Sequence, residues 1–194
     1  MPQPRAHMNH LTEALHIPDT QSERDGRHLA IQRVGIKSLR YPLALRIAGE
    51  VQSTAADWDL DVALPAEQKG THMSRFIAWL EALDAPLDAA TLRQRHAQML
   101  ERLGAEEGRI EARFGFFLRK RAPVSGLASL LDYRGRWISE TRGGHTSVSA
   151  EVSVPVKSLC PCSKEISDYG AHNQRSLVSI RAELLQPVEW HELV

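Results

Sequence analysis

Asp57-Trp58-Asp59-Leu60-Asp61-Val62-Ala63-Leu64-Pro65 is the stretch that decides the fold class. Trp58, Leu60, Val62 and Leu64 alternate with Asp57, Asp59, Asp61 and Ala63. A period of two sends the apolar set to one side of a strand and the aspartates to the other. A strand with one dry and one wet face belongs to an antiparallel sheet. Pro65, which has no N–H to donate, stops it. The three aspartates read as the wet side, not as a metal cluster. Upstream, Leu43, Leu45 and Ile47 show the same alternation, and Arg27 to Lys37 carries a strand-like run around Ile31 and Val34. These pieces predict an antiparallel hairpin.

The period then changes. Phe76, Trp79, Leu80 and Leu83 recur at helical spacing behind Ser74, a possible N-cap, until Asp84-Ala85-Pro86 breaks the pattern. Asp88 caps a second helix through Leu92, Met99, Leu100 and Leu103, closed by Gly104. Strict alternation returns at Ile110, Ala112, Phe114, Phe116 and Leu118. Leu131 and Tyr133 lead through Arg134-Gly135-Arg136, read as a hairpin turn, to Trp137. Two more strands follow, Val148 to Val156 and Val178 to Leu184. The fold class is α+β: a β-β-α-α-β-β unit with helices on one face, then the start of a second unit. The expected divisions are a polar arm over 1–28 with one short helix near Leu11–Leu15, a first unit over 29–145 and a second over 146–194. The second unit offers Val152, Val154, Ile180 and Leu184 with nothing to cover them.

Composition narrows the function classes. Lys plus Arg and Asp plus Glu both number 24, so the net charge is zero and no basic block marks the chain for nucleic acid. No apolar run reaches the roughly 20 residues that span a bilayer, and the first ten residues do not read as a signal peptide. The two cysteines do not form a disulfide framework, and a single intervening residue disfavours a bridge between them. A reducing, cytoplasmic setting is expected.

The chemistry concentrates in Ser158-Leu159-Cys160-Pro161-Cys162-Ser163-Lys164-Glu165-Ile166-Ser167-Asp168-Tyr169-Gly170-Ala171-His172-Asn173-Gln174. Both cysteines lie here, just past a strand end, among polar neighbours that lower a thiol pKa. Two sulfurs are too few for a closed structural zinc site, which needs four ligands. An open metal site and a thiolate nucleophile both remain, with His172 as ligand or proton carrier. Buried free cysteine and surface histidine are the plainer alternatives. A second segment, Lys69-Gly70-Thr71-His72-Met73-Ser74-Arg75-Phe76, lies between a strand and a helix, and its cations suit a phosphate. Arg119-Lys120-Arg121 reads as a solvated strand end, and Glu111, Glu140 and Glu151 give no pattern.

Together, Pro155 to Ser167, Tyr169 to Arg175 and Lys69 to Phe76 resemble the signature segments of GTP cyclohydrolase type IB. Val34-Gly35-Ile36-Lys37, Ala122-Pro123-Val124-Ser125-Gly126 and Asp132-Tyr133 are similar too, so the resemblance runs from about Pro18 to the end. It implies the tunnelling fold (T-fold), with tandem β-β-α-α-β-β units and a barrel-like homo-oligomer, expected as a homotetramer. It also implies conversion of GTP and water to 7,8-dihydroneopterin triphosphate and formate, the first step of tetrahydrofolate biosynthesis, with a divalent metal (Mn, Fe or Zn). The family's metal-binding, catalytically important cysteine maps onto Cys160 and its metal-site histidine onto His172. Cys162 has no assigned role. His72, Arg75 and Lys164, with Lys69, are triphosphate candidates on charge alone. Family members run on beyond the point where this chain stops. Further metal ligands and the glutamate that anchors guanine are expected there, so a truncated chain of weak or no activity is anticipated. Glu183, Glu189 and Glu192 are not assigned to those roles. The rival readings are a nitrile-reductase-type T-fold enzyme with a cysteine nucleophile and an inactive assembly subunit.

Overall fold

The computed structural model describes residues 24–168 and 172–194. The expected helix near Leu11–Leu15 lies outside those residues, as does Gly170 of the tight turn that Gly170, Asn173 and Gln174 suggest; Asn173 and Gln174 are instead strand residues. Among the described residues, six strands form one antiparallel sheet in sequence order: β1 (Ile31–Ile47), β2 (Glu50–Leu64), β3 (Gly108–Arg121), β4 (Ala128–Arg142), β5 (His145–Leu159) and β6 (Asn173–Glu183). Helices α1 (Met73–Glu81) and α2 (Ala89–Leu103) join β2 to β3, and a short α3 (Pro161–Ile166) joins β5 to β6. Two-residue turns close β1–β2 and β4–β5. Ala48 and Gly49 have φ of 50° and 79°, and Gly143 and Gly144 have 56° and 76°. Positive φ at both central positions gives the turn whose twist matches paired strands.

Several local expectations shift. The two runs before residue 48 are one strand of 17 residues, β1, with register irregularities at Ile31/Val34 and Ile36/Leu39. At the second, Ser38 turns to φ 56° and its N–H donates to the Asp59 carboxylate at 2.7 Å. Arg134-Gly135-Arg136 is not a turn but the middle of β4, paired with β3 and β5. The turn is Ala122–Leu127, where Ala122 N–H donates to the Leu127 carbonyl at 2.9 Å. Gly135 is glycine because neighbours press on it: a Cβ there would meet Phe114 Cε2 at 2.5 Å and Trp190 at 3.1 Å. The N-cap of α1 is His72, two residues before the expected cap at Ser74, and its carbonyl already accepts from Arg75 N–H at 3.0 Å. Asp88 and Gly104 do cap α2: the Asp88 carboxylate accepts from Thr91 N–H at 2.7 Å, and Gly104 is left-handed. Of the expected arm, Asp25 is tied down through its N–H to the Glu67 carbonyl at 3.0 Å.

The core lies between the apolar face of the sheet and the two long helices. Phe76, Trp79 and Leu80 of α1 and Leu92, Met99 and Leu103 of α2 face Leu45, Trp58, Leu60, Val62, Ile110 and Ala112. Trp58 and Trp79 meet edge to face at 6.0 Å. Each indole N–H reaches a carbonyl, Tyr41 at 3.3 Å and Arg95 at 2.7 Å, so neither ring buries an unmet donor. Each such side chain contributes about 1.5–3 kcal/mol through burial.

The expectation of uncovered apolar residues on the last two strands holds only in part. Val152 and Leu184 are buried in the same core, while Ile180 stays 47% exposed. The C-terminal residues supply part of the cover. Trp190, in the 3₁₀ turn Trp190–Leu193, packs at 5.0, 5.4 and 4.8 Å from the rings of Phe114, Phe116 and Trp137. Two bonds pin this segment to the β1–β2 turn: Ala48 N–H to His191 Nδ1 and Gly49 N–H to Glu189 Oε2, both 3.1 Å.

Candidate functional site

Cys160 follows β5 and His172 precedes β6. The ladder pairs Leu159 with Asn173, and Cys160 N–H continues it by donating to the His172 carbonyl at 3.2 Å. Residues opposite each other in an antiparallel pair carry their side chains on the same side, with Cβ atoms about 5 Å apart. Two residues distant in sequence are thereby set side by side. Pro161, which lacks the N–H that a helix leaves unpaired anyway, opens α3, and Cys160 takes its N-cap position. The Lys164 N–H closes the first turn on the Cys160 carbonyl at 3.2 Å.

The two thiols differ. Cys160 is buried and Cys162 exposed, and both are free. The Cys160 pKa is lowered from its ordinary value, first by the backbone N–H of Ser163 and then by the Ser163 hydroxyl, against the opposing effect of burial. His172 is exposed, and its Nδ1 lies 2.6 Å from Ser163 Oγ. A thiolate and an imidazole are donors suited to Zn, Fe or another borderline divalent ion. Among the described residues no group of three or more His, Cys, Asp or Glu side chains is placed to hold a metal ion. Cys160 and His172 therefore fit as one part of a coordination shell, with the other positions open to other donors.

The remaining sequence candidates do not all join this pair. Lys164 does, in the last turn of α3 with its side chain exposed. His72 and Arg75 do not. They follow the C-terminal end of β2, where Val62 pairs with Gly108 at the start of β3. Gly108 pairs with Thr141 near the end of β4, which in turn pairs with Thr146 at the start of β5. Cys160 lies past the far end of that same strand. Within one chain the His72–Arg75 segment and the Cys160–His172 pair thus occupy opposite ends of the sheet. Arg75 is also engaged at its own end, where Nη1 donates to the Arg102 carbonyl of α2 at 3.2 Å.

The face of the sheet away from α1 and α2 carries what the sequence did not reveal. Glu111 is buried there and is shared by three arginines: Arg109 at 2.7 Å, Arg113 at 2.6 Å and Arg136 at 3.2 Å. Asp59 binds Arg113 at 3.0 Å, Arg33 pairs with Asp61, and Arg136 pairs with Glu151. Burial raises the Glu111 pKa, but hydrogen bonds from Arg109 and Arg113 outweigh it and the net shift is downward. One register row, Arg40–Asp57–Arg113–Arg136–Glu151–Arg181, crosses all the strands from β1 to β6. Asp59 and Asp61, two of the wet aspartates of β2, are therefore members of an ion-pair lattice. Charges at alternate positions of β3 and β4 were the available signal, but it needs the register to be read. A groove of about 520 Å³ lies on this face, lined among others by Arg40, Asp57, Arg134 and Arg136, and neither Cys160 nor His172 borders it.

Residues 17–194 match the family model of type I GTP cyclohydrolase FolE2. The chain is 69% identical over 185 residues to a GTP cyclohydrolase FolE2 of Methylibium petroleiphilum, covering 93% of this chain and 62% of that protein. It is 57% identical over 188 residues to the protein of the same name from Paraburkholderia xenovorans, covering 96% of this chain and 70% of that protein. A Burkholderia multivorans FolE2 is 55% identical over a stretch of the same length. The chain thus spans 62% to 70% of the length of these curated relatives. The chain belongs to the type I GTP cyclohydrolase FolE2 family.

Proposed function

We propose that this chain carries the cysteine–histidine part of the catalytic centre of a GTP cyclohydrolase, which converts GTP and water to 7,8-dihydroneopterin triphosphate and formate. The observation that carries the reading is the side-by-side placement of Cys160 and His172 at the end of the β5–β6 ladder. Family membership supplies the substrate, GTP. In this reading Cys160 and His172 hold a divalent ion, Mn, Fe or Zn, together with donors from elsewhere. Such an ion, when bound, supplies Lewis-acid activation of water near neutral pH for attack at C8 of the purine. Cys160 holds its place as the N-cap of α3, where neighbouring N–H groups favour its thiolate. His172 presents an imidazole that can ligate, or carry a proton as the five-membered ring opens and formate leaves.

The tunnelling fold and a homo-oligomer, as a homotetramer, are part of the same proposal. Opposite placement of the His72–Arg75 segment and the Cys160–His172 pair favours a site completed between subunits. One copy would bring the cations of the α1 entry to the triphosphate, and another the cysteine, the histidine and Lys164. Among the described residues no helix is long and apolar enough to cross a membrane.

The test is formate release from GTP by protein supplied with Mn²⁺ or Zn²⁺. Cys160→Ala and His172→Ala are expected to lose release by at least the 10²-fold associated with removing a group that acts on the reacting centre. Unchanged release in either variant would overturn the assignment of that residue.

A further inference from the structure

Ser163 reaches one member of the pair from the helix that the other caps. Its Oγ lies 2.6 Å from His172 Nδ1, while its own backbone stands at the third position of α3, one turn after the Cys160 cap. His172 is consequently tied to Cys160 and α3 twice, by the backbone bond of 3.2 Å and by the Ser163 side chain. A hydroxyl has one proton to give and two lone pairs to fill. If Ser163 gave its proton to Nδ1, His172 would carry its own proton on Nε2 and offer no lone pair to a metal. If the proton goes elsewhere, Oγ accepts from Nδ1–H and Nε2 is left free. A ligating histidine commonly donates its second ring N–H to a neighbouring acceptor, which fixes tautomer and ring orientation.

We infer that Ser163 is the positioning residue of this centre: its oxygen accepts Nδ1–H of His172, so the imidazole is held with Nε2 free for the metal. The inference rests on the reading above that Cys160 and His172 hold a divalent ion. No bond is made or broken. One hydroxyl sets the orientation of the imidazole. A serine suits the place because it is small enough to sit inside the first turn of α3 and carries both a donor and an acceptor on one atom.

Two measurements on the 194-residue chain test it. Long-range ¹H–¹⁵N correlation spectra of the metal-free protein at pH 8 report which His172 nitrogen carries the proton. The Nδ1–H form is expected in the parent and in Ser163→Thr, which keeps the hydroxyl, and a mixture dominated by Nε2–H in Ser163→Ala. Competition of Zn²⁺ with a chromophoric chelator should show Ser163→Ala weakened about 10–100-fold, with Ser163→Thr restoring most of the affinity. An Nε2–H form in the parent would overturn the inference. So would Zn²⁺ affinity unchanged in Ser163→Ala while Cys160→Ala and His172→Ala lose it. If those two variants bind Zn²⁺ as tightly as the parent, the metal reading itself fails, and the tautomer spectrum alone then decides whether Ser163 orients His172.

Discussion

His96 of α2 offers a quantitative test of the packing described above. Its side chain is completely buried, and its Nδ1 meets the Ser139 hydroxyl of β4 at 2.6 Å, while Nε2 has no hydrogen-bond partner. Burial lowers its pKa from 6.5 to about 4, and the Gly108 backbone and Asp61 oppose this only in part. The folded protein therefore holds His96 neutral through a range in which the unfolded chain binds a proton. Stability rises with pH wherever the unfolded state binds more protons, so stability contributed by neutral His96 is complete above 6.5 and is lost as pH falls toward 4. At about 1.36 kcal/mol for each pH unit, the loss across this window amounts to about 3 kcal/mol. Urea unfolding followed by tryptophan fluorescence, repeated between pH 7.5 and pH 4, measures it. His96→Gln keeps a polar partner for Ser139 but cannot titrate, so its curve should fall less steeply, by up to about 1.4 kcal/mol per pH unit near the middle of the window. Glu111 and Asp59, whose pKa values are lowered, also respond to acid, but they do so in both proteins and cancel in the difference. Parallel curves for parent and variant between pH 6.5 and 4 would refute the reasoning and mean that water or a shifted backbone solvates the imidazolium.

Two further outcomes follow from the same contacts. Trp190→Ala removes the ring packed on Phe114, Phe116 and Trp137 and should cost about 3–5 kcal/mol in chemical denaturation; a loss below 1 kcal/mol would show that the C-terminal segment does not close the core. Glu111→Gln leaves Arg109, Arg113 and Arg136 without their shared carboxylate. Since those arginines are partly exposed, the expected loss is about 2 kcal/mol, below the 3–5 kcal/mol of a fully buried broken pair, again read by urea denaturation.

Much of the fold was legible because two periods speak clearly. The alternation at Trp58–Leu64 and Ile110–Leu118 and the helical spacing of Phe76–Leu83 each needed one neighbour's worth of information, and each element formed where expected. Turn chemistry was less legible. Gly135 looked like a turn residue, yet its missing Cβ makes room for Phe114 and Trp190, contacts that arise only when β3, β4 and the C-terminal segment have met. Glu111 gave no pattern for a related reason: Arg109 and Arg113 flank it on one face of β3, but Arg136 comes from β4, and only the register sets it beside that carboxylate.

By itself the sequence determined which atoms are available for chemistry: a thiol and an imidazole in one segment, cations in another, and strand and helix periods fixed by local side-chain spacing. Tertiary structure decided which of these meet. Backbone pairing of β5 with β6 sets Cys160 beside His172 and brings Ser163 to hydrogen-bonding distance of the imidazole. The same antiparallel order sends His72 and Arg75 to the other end of the sheet, because every hairpin reverses the chain and strand length separates its two ends. Side-chain spacing along a chain carries no record of that separation; hydrogen-bond register across the sheet does.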